Sequence, residues 1–441
     1  MSAKIDALRT ASWAGRRVTV VADFDSFLRA ASVLARHLEG LGATIRYRLV
    51  FARAGQVSRA QLASMGLTPE QVQILPMDRL VTRAVLGEED VVVLGLNGMR
   101  SRRFFVRLHH AFEGAPRRPI ITSLYPGLVF RFHLEGMTSR MAADLLLLNS
   151  PADLRLYEGA LREMGLANRN AICAGLAFLP PALPPRIDTH EGAVLFVAQP
   201  TVPVGREERR YVVVRLLELA RRHPETRWLL KPRHRRDETT LHRDDHHYED
   251  LLDELARDER VPPNFAVVHE PLSALFEETR LCLTFSSTAA LESLRLGIPT
   301  RILTDVGIHE NIGNHFFIGS GLCCSLDDVR PDLGWREPAA EWWDDNVVSA
   351  ADRIQATLAR LEELVAERAA HPASLPPPYP RLLGGTPALE RYLAEREGWA
   401  ELGERGAAAG RLRKVLRRLA RTGRRLVRVG MERAAAHNES R

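Results

Sequence analysis

Apolar residues in this chain come in short blocks, separated by longer stretches in which they recur at helical spacing. Residues 17–25, RVTVVADFD, form a β-branched run that ends on acidic residues, and residues 26–41 then read as an amphipathic helix. The same alternation predicts strands at 43–51, 90–96, 119–123, 145–149 and 171–174, with helices at 102–112 and 152–163 between them. Such βα repetition implies a mostly parallel sheet covered on both faces.

A break follows. Residues 180–190, PPALPPRIDTH, hold four prolines in their first six positions, which suits a stiff connection and not a sheet interior. Beyond it a second βα series predicts strands at 193–199, 227–232, 265–269, 281–285 and 299–303, with helices at 207–222, 248–257, 289–296 and 347–368. The expected organisation is an N-terminal doubly wound domain over 1–180, a linker over 181–190 and a nucleotide-binding domain over 191–373. A Pro-rich break and return helix over 374–406 and a basic tail over 407–441 complete it. Open α/β sheets bind ligands outside their strand C-termini, so the cleft between two such domains is the expected site.

The chain's 441 residues agree with two domains, because single cores rarely grow past ~250–300 residues. No window approaches ~18 uninterrupted apolar residues, and the opening residues lack the apolar core of a secretory signal. A cytosolic protein is therefore expected. Cys173, Cys282, Cys323 and Cys324 lack metal-ligand spacing and read as reduced, mostly buried thiols.

Charge changes the picture only at one end. Residues 411–430 hold nine Lys or Arg and no acid; taking these nine from the net charge of +6 leaves the remaining chain at −3. Nucleic acid is thus not expected as a partner. In the tail, Leu412, Val415, Leu416 and Leu419 keep near-helical spacing among the basic residues, a pattern that suits an anionic membrane surface.

Two stretches carry candidate chemistry. In 284–303, TFSSTAALESLRLGIPTRIL, a strand ends before Ser286, Ser287 and Thr288, and a helix runs through Glu292 to Gly297. Hydroxyls and backbone N–H groups at such a point suit a phosphate oxygen, although helix capping alone would also explain them. In 228–242, WLLKPRHRRDETTLH, a strand leads into a loop with Lys231, Arg233, His234 and His242, cations able to neutralise a diphosphate. The later His246, His247, Asp244 and Asp245 read as a solvated run, and no metal site is expected.

A strand ending in a Lys-Pro-His/Arg loop, followed some fifty residues on by Ser-Ser and a helix closing on Gly-x-Pro, resembles the paired HP and Ser-Ser motifs of bacterial GT-B sialyltransferases and polysialyltransferases. Capsular Kdo transferases and CDP-glycerol glycerophosphotransferases carry similar patterns. The resemblance covers roughly residues 190–305, where FVAQPTVP, with Gln199, is similar to the first strand and loop of the nucleotide domain. It implies a GT-B transferase of surface-polysaccharide synthesis, with Ser286 and Ser287 on the donor phosphate and Lys231 with Arg233 or His234 near the leaving nucleotide. The order Lys231-Pro232-Arg233-His234 departs from the family's Lys-Pro-His-Pro, and a guanidinium cannot act as a general acid. By the same resemblance His309, Glu310, Asn311 and Asn314 belong to a region that closes on the donor.

An inverting transfer needs a base from the first domain. The candidates are Asp23 and Asp25 after the first strand, and His133 and Glu135; Glu135-Gly136 resembles the acidic-Gly motif of polysialyltransferases. Asp25 could instead be a helix N-cap and Glu135 a solvated acid. Tyr125-Pro126-Gly127 reads as a turn at the cleft rim, with Arg131 placed for an acidic acceptor. The expected function is metal-independent transfer of a sugar, CMP-linked and acidic, to a glycan or glycolipid acceptor, without a cofactor beyond the donor. Expected alternatives are glycerol phosphate transfer from CDP-glycerol and a catalytically silent GT-B binding module. A UDP-sugar 2-epimerase is disfavoured by the basic tail, which implies work at the inner face of the cell membrane.

Overall fold

The computed structural model describes residues 12–50, 57–128, 133–180, 182–186, 191–200, 202–236, 246–258 and 260–370. The expected residues 374–406 and 407–441, like His242 and Arg131, lie outside the described residues.

The first sheet holds β1 (Arg17–Ala22), β2 (Thr44–Val50), β3 (Val72–Leu75), β4 (Val91–Gly95), β5 (Ile120–Leu124), β6 (Leu145–Leu148) and β7 (Ala171–Cys173), in the order β3-β2-β1-β4-β5-β6-β7. The second holds β8 (Ala193–Val197), β9 (Trp228–Lys231), β10 (Phe265–Val267), β11 (Thr279–Thr284), β12 (Thr300–Leu303) and β13 (Cys323–Cys324), in the order β10-β9-β8-β11-β12-β13. All neighbours in both sheets run parallel. Each sheet builds outward from its first strand and then reverses to that strand's other side. The reversals, β1/β4 and β8/β11, are the topological switch points where α/β sheets open to ligands. This is the GT-B-like pair of doubly wound lobes that the sequence pattern implies.

The strands form where expected because β1, β4, β5, β6, β8 and β11 are buried almost throughout, as apolar runs in a doubly covered sheet must be. Helix Asp25–Gly40 buries Leu28, Ala31, Leu34, Ala35 and Leu38, one face at helical spacing, against β1 and β4.

The last described helix, Ala350–Ala370, departs from the expected domain division. Its Leu358, Leu361, Leu364 and Val365 join the core of the first lobe with Trp13, Val18 and Leu38. Trp13 Nε1 donates to Glu362 Oε1 at 3.2 Å, and Arg368 Nη2 meets Asp90 Oδ1 at 2.7 Å. The chain thus returns to the first lobe before the second Pro-rich break, because proline marks where an element ends and not which core its apolar face fills. On the way it crosses the segment after β7, where Leu176 N donates to Val348 O at 2.7 Å. Gly175 lies at φ +81°, and a Cβ there would sit 2.6 Å from the carbonyl carbon of Ser349. Only glycine permits that crossing.

All four cysteines are free thiols. Burial pushes Cys282 and Cys324 up to about 12, which leaves them unreactive near neutral pH. Among the described residues no helix is long and apolar enough to cross a membrane.

Candidate functional site

At the switch point of the second lobe, three loops are tied together by one serine. Gln199, just past β8, presents Oε1 to the backbone N–H of Ser286 at 3.0 Å and to its Oγ at 3.2 Å. Ser286 Oγ also lies within hydrogen-bond distance of Ile312 O, so its single proton is shared between these two acceptors. Ser286 is 1% exposed. Its hydroxyl therefore joins the ends of β8 and β11 to the loop after β12, while Ser287 and Thr288 stand half-buried beyond it.

Ser287 Oγ accepts from Ala289 N at 3.2 Å, and Thr288 occupies the N-cap position of helix Ala289–Arg295 without a side-chain capping bond. The Thr288 methyl carbon lies 3.6 Å from where a Cβ of Gly127 would be, so this residue faces the first lobe across the cleft. Asn314, fully buried, donates from Nδ2 to Leu303 O and Gly307 O and accepts from His309 N. It shapes the loop after β12, and His309, Glu310 and Asn311 stand exposed on its rim.

The cationic loop divides its residues between two directions. Lys231, the last residue of β9, is half-buried and donates from Nζ to Pro232 O at 3.2 Å. Arg233 is exposed. His234 turns into the lobe: it is buried, and its ring stands edge-on to that of His247 at 5.4 Å. Glu292, on the helix after Thr288, is partly buried, and burial pushes its carboxyl up to about 7, opposed by the charges of Arg29 and Arg233. Arg29 belongs to helix Asp25–Gly40 of the first lobe. The charges of cations from both lobes thus act on one carboxyl.

In the first lobe, the corresponding switch point holds Asp23. This carboxylate is buried; Oδ2 accepts from Asn97 N at 2.9 Å and from Arg100 Nη1 at 3.2 Å, and Oδ1 has no hydrogen-bond partner. Burial raises its pKa against the lowering pull of that backbone bond and of Arg100 and Arg140. Asp25 does not cap the first helix. The N-cap is Phe24, and Asp25 is the first helical residue, half-buried, with Oδ2 accepting from Gln61 Nε2 at 3.2 Å.

Glu135 lies exposed on helix His133–Thr138, paired with Arg102 Nη2 at 2.9 Å. The helix is fixed by its neighbour Gly136, whose missing side chain makes room for Tyr125: a Cβ there would fall 1.4 Å from Tyr125 Oη. The Arg140 guanidinium covers the Tyr125 ring at 4.0 Å from its centroid. Gly127 O accepts from Asn149 Nδ2 at 2.8 Å, which anchors the Tyr125-Pro126-Gly127 segment at the rim.

The geometry therefore gathers Gln199, Ser286, Ser287 and Thr288 at one mouth, with Glu292 on the helix that follows and the charge of Arg233 acting on it. Sequence reasoning passed over Arg29, Asn97, Arg100 and Arg140, which in sequence are only polar positions on, just before or just after helices. Among the described residues no group of His, Cys, Asp or Glu side chains is placed to hold a metal ion.

Residues 18–364 match the family described as "Putative glycosyltransferase (DUF6716)". The chain belongs to this glycosyltransferase family. Solved structures similar to it include the UDP-GlcNAc 2-epimerase of Methanocaldococcus jannaschii in complex with UDP-GlcNAc and UDP, 11% identical over 77% of this chain and 99% of that one, with TM-score 0.48. The UDP-GlcNAc 2-epimerase of Neisseria meningitidis is 10% identical over 86% and 100%, with TM-score 0.47. UGT89C1 of Arabidopsis thaliana, complexed with UDP-L-rhamnose, is 14% identical over 80% and 94%, with TM-score 0.43. No curated protein sequence matches the chain.

Proposed function

We propose that this glycosyltransferase moves a sugar from a nucleotide-activated donor to a glycan or glycolipid acceptor, holding the donor phosphate at the mouth of the second lobe. The observation that carries this reading is the pair Ser287 and Thr288 at the β8/β11 switch point, with Thr288 beside Gly127 of the first lobe and Glu292 on the following helix under the charges of Arg233 and Arg29. Hydroxyls and cations at a strand C-terminus suit a phosphate whose charge grows as the glycosidic bond breaks. Arg233, exposed and with a charge that acts on Glu292, is the natural partner of the leaving phosphate; His234 supports the loop from inside. Lys231 adds charge at the loop's base.

The acceptor hydroxyl would meet the first lobe, where Glu135, Asp25 and Asp23 are the available carboxylates. Glu135 is the best base on accessibility, because Asp23 is enclosed. Cations at the donor side, with Arg29 able to pair a sugar carboxylate, favour an acidic sugar on a cytidine nucleotide and an inverting, metal-independent transfer. CDP-glycerol is the second reading, since it offers the same phosphate chemistry. The basic tail would hold the enzyme at the cytoplasmic face of an anionic membrane, where capsule or other surface-polysaccharide acceptors are assembled.

The test is an assay of CMP-, CDP- and UDP-activated donors for release of nucleotide, with wild-type protein and Arg233→Ala. Release from one donor class, reduced ~10²–10³-fold in the variant, supports the reading. Release that is equal in both proteins removes Arg233 from the mechanism.

A further inference from the structure

Behind the cationic loop lies a connected set of groups that the transfer chemistry does not use. Glu249, the second residue of helix Tyr248–Asp258, donates its backbone N–H to His247 Nδ1 at 3.3 Å. The other ring nitrogen of His247, Nε2, lies 3.1 Å from the backbone oxygen of His234. The Glu249 carboxylate meets His269 Nε2 at 2.8 Å, just beyond β10, and has its other oxygen 3.4 Å from His247 Nδ1. His247 is 4% exposed and His234 9%. One acid thereby ties three segments together: the loop after β9, the start of a helix and the end of β10.

We propose that Glu249 is a positioning residue of the donor site, acting through His247 and His269 to hold the loop that presents Lys231 and Arg233. The inference rests on the reading of Arg233 as the phosphate cation. Arg233 is exposed, so its placement depends on the backbone beneath it. That backbone is gripped one residue later, at the carbonyl of His234. The contact of the Glu249 carboxylate with His269 Nε2 is charge-assisted, and residues behind a site fix its geometry when they are locked by packing. The other charged groups around Glu249 belong to the same face: Arg236 reaches it at 3.8 Å and binds Asp250 at 3.3 Å and Asp253 at 2.7 Å. Arg236 is about half exposed, so it stands as the outer rim of the cluster and not its core.

Two measurements on the full chain test this. Hydrogen exchange followed by mass spectrometry should show peptides over 229–236 exchanging about tenfold faster in Glu249→Gln and in His269→Gln, with peptides over β8 and β11 unchanged. Unchanged exchange at 229–236 in both variants overturns the proposal, and so does faster exchange throughout the lobe. Titration with CDP and UDP then reads the coupling: Glu249→Gln should weaken binding about tenfold in the wild-type background and not at all in the Arg233→Ala background. Equal weakening in both backgrounds overturns it as well. Should wild-type protein bind neither nucleotide, the donor reading fails while the exchange result still decides the clamp.

Discussion

Glu292 is the carboxyl whose ionisation the fold alters most legibly. Burial lifts it from the ordinary 4.5 to about 7, so the folded chain holds a proton there that the unfolded chain releases. Stability from this group is therefore lost as pH rises from about 4.5 to 7. Glu292→Gln is expected to be more stable than wild type at pH 8 by about 1–3 kcal/mol, with the gap closing below pH 4.5. Urea denaturation at the two pH values checks it, and a less stable variant at pH 8 contradicts it. The serines separate in the same way. Ser287→Ala should weaken donor binding by roughly 1.5–3 kcal/mol while losing only its one bond to Ala289 N, whereas Ser286→Ala should lower stability more, because its hydroxyl joins Gln199 and Ile312. Isothermal titration beside denaturation distinguishes them. The residue types of this site were legible in the order Ser-Ser-Thr and Lys-Pro-Arg-His; the direction of each side chain was not. Nothing in that order says that His234 packs on His247 while Arg233 points outward, since the partner lies thirteen residues away.

At the scale of elements, most of the strands that were readable are buried on both faces, where apolar runs leave little ambiguity. Missed were β3 and β13, both edge strands: β3 is four residues with none buried and Ile74 55% exposed, and β13 is two residues long. Periodicity has nothing to grip in such segments. The helix Ala350–Ala370 was readable as a helix, yet its destination was not, because an amphipathic face does not name its partner. Leu361→Ala should cost about 2–5 kcal/mol and should loosen the first lobe more than the second, which hydrogen exchange over β1 and β8 would show. Equal loosening of both would contradict the packing described. Gly136→Ala should displace Tyr125 and its Arg140 stack, so transfer should fall while donor affinity in the other lobe stays as in wild type. Loss of donor affinity in that variant would place Tyr125 in donor binding.

For the whole molecule, two sheets wound the same way put their switch points where one substrate from each side can meet. The alternation of strands and helices, broken by PPALPP, made this architecture readable; the action of the Arg29 charge on Glu292 depends on how the lobes pack and had no signal in either segment alone. The central claim is that the second lobe binds a nucleotide phosphate through Arg233 and its neighbours. Isothermal titration of CMP, CDP and UDP into the full chain and into Arg233→Ala tests it most directly. The account predicts saturable one-site binding of at least one nucleotide by wild type, weakened about tenfold or more in the variant. Folded wild-type protein that binds none of the three, or binding that Arg233→Ala leaves unchanged, would contradict it.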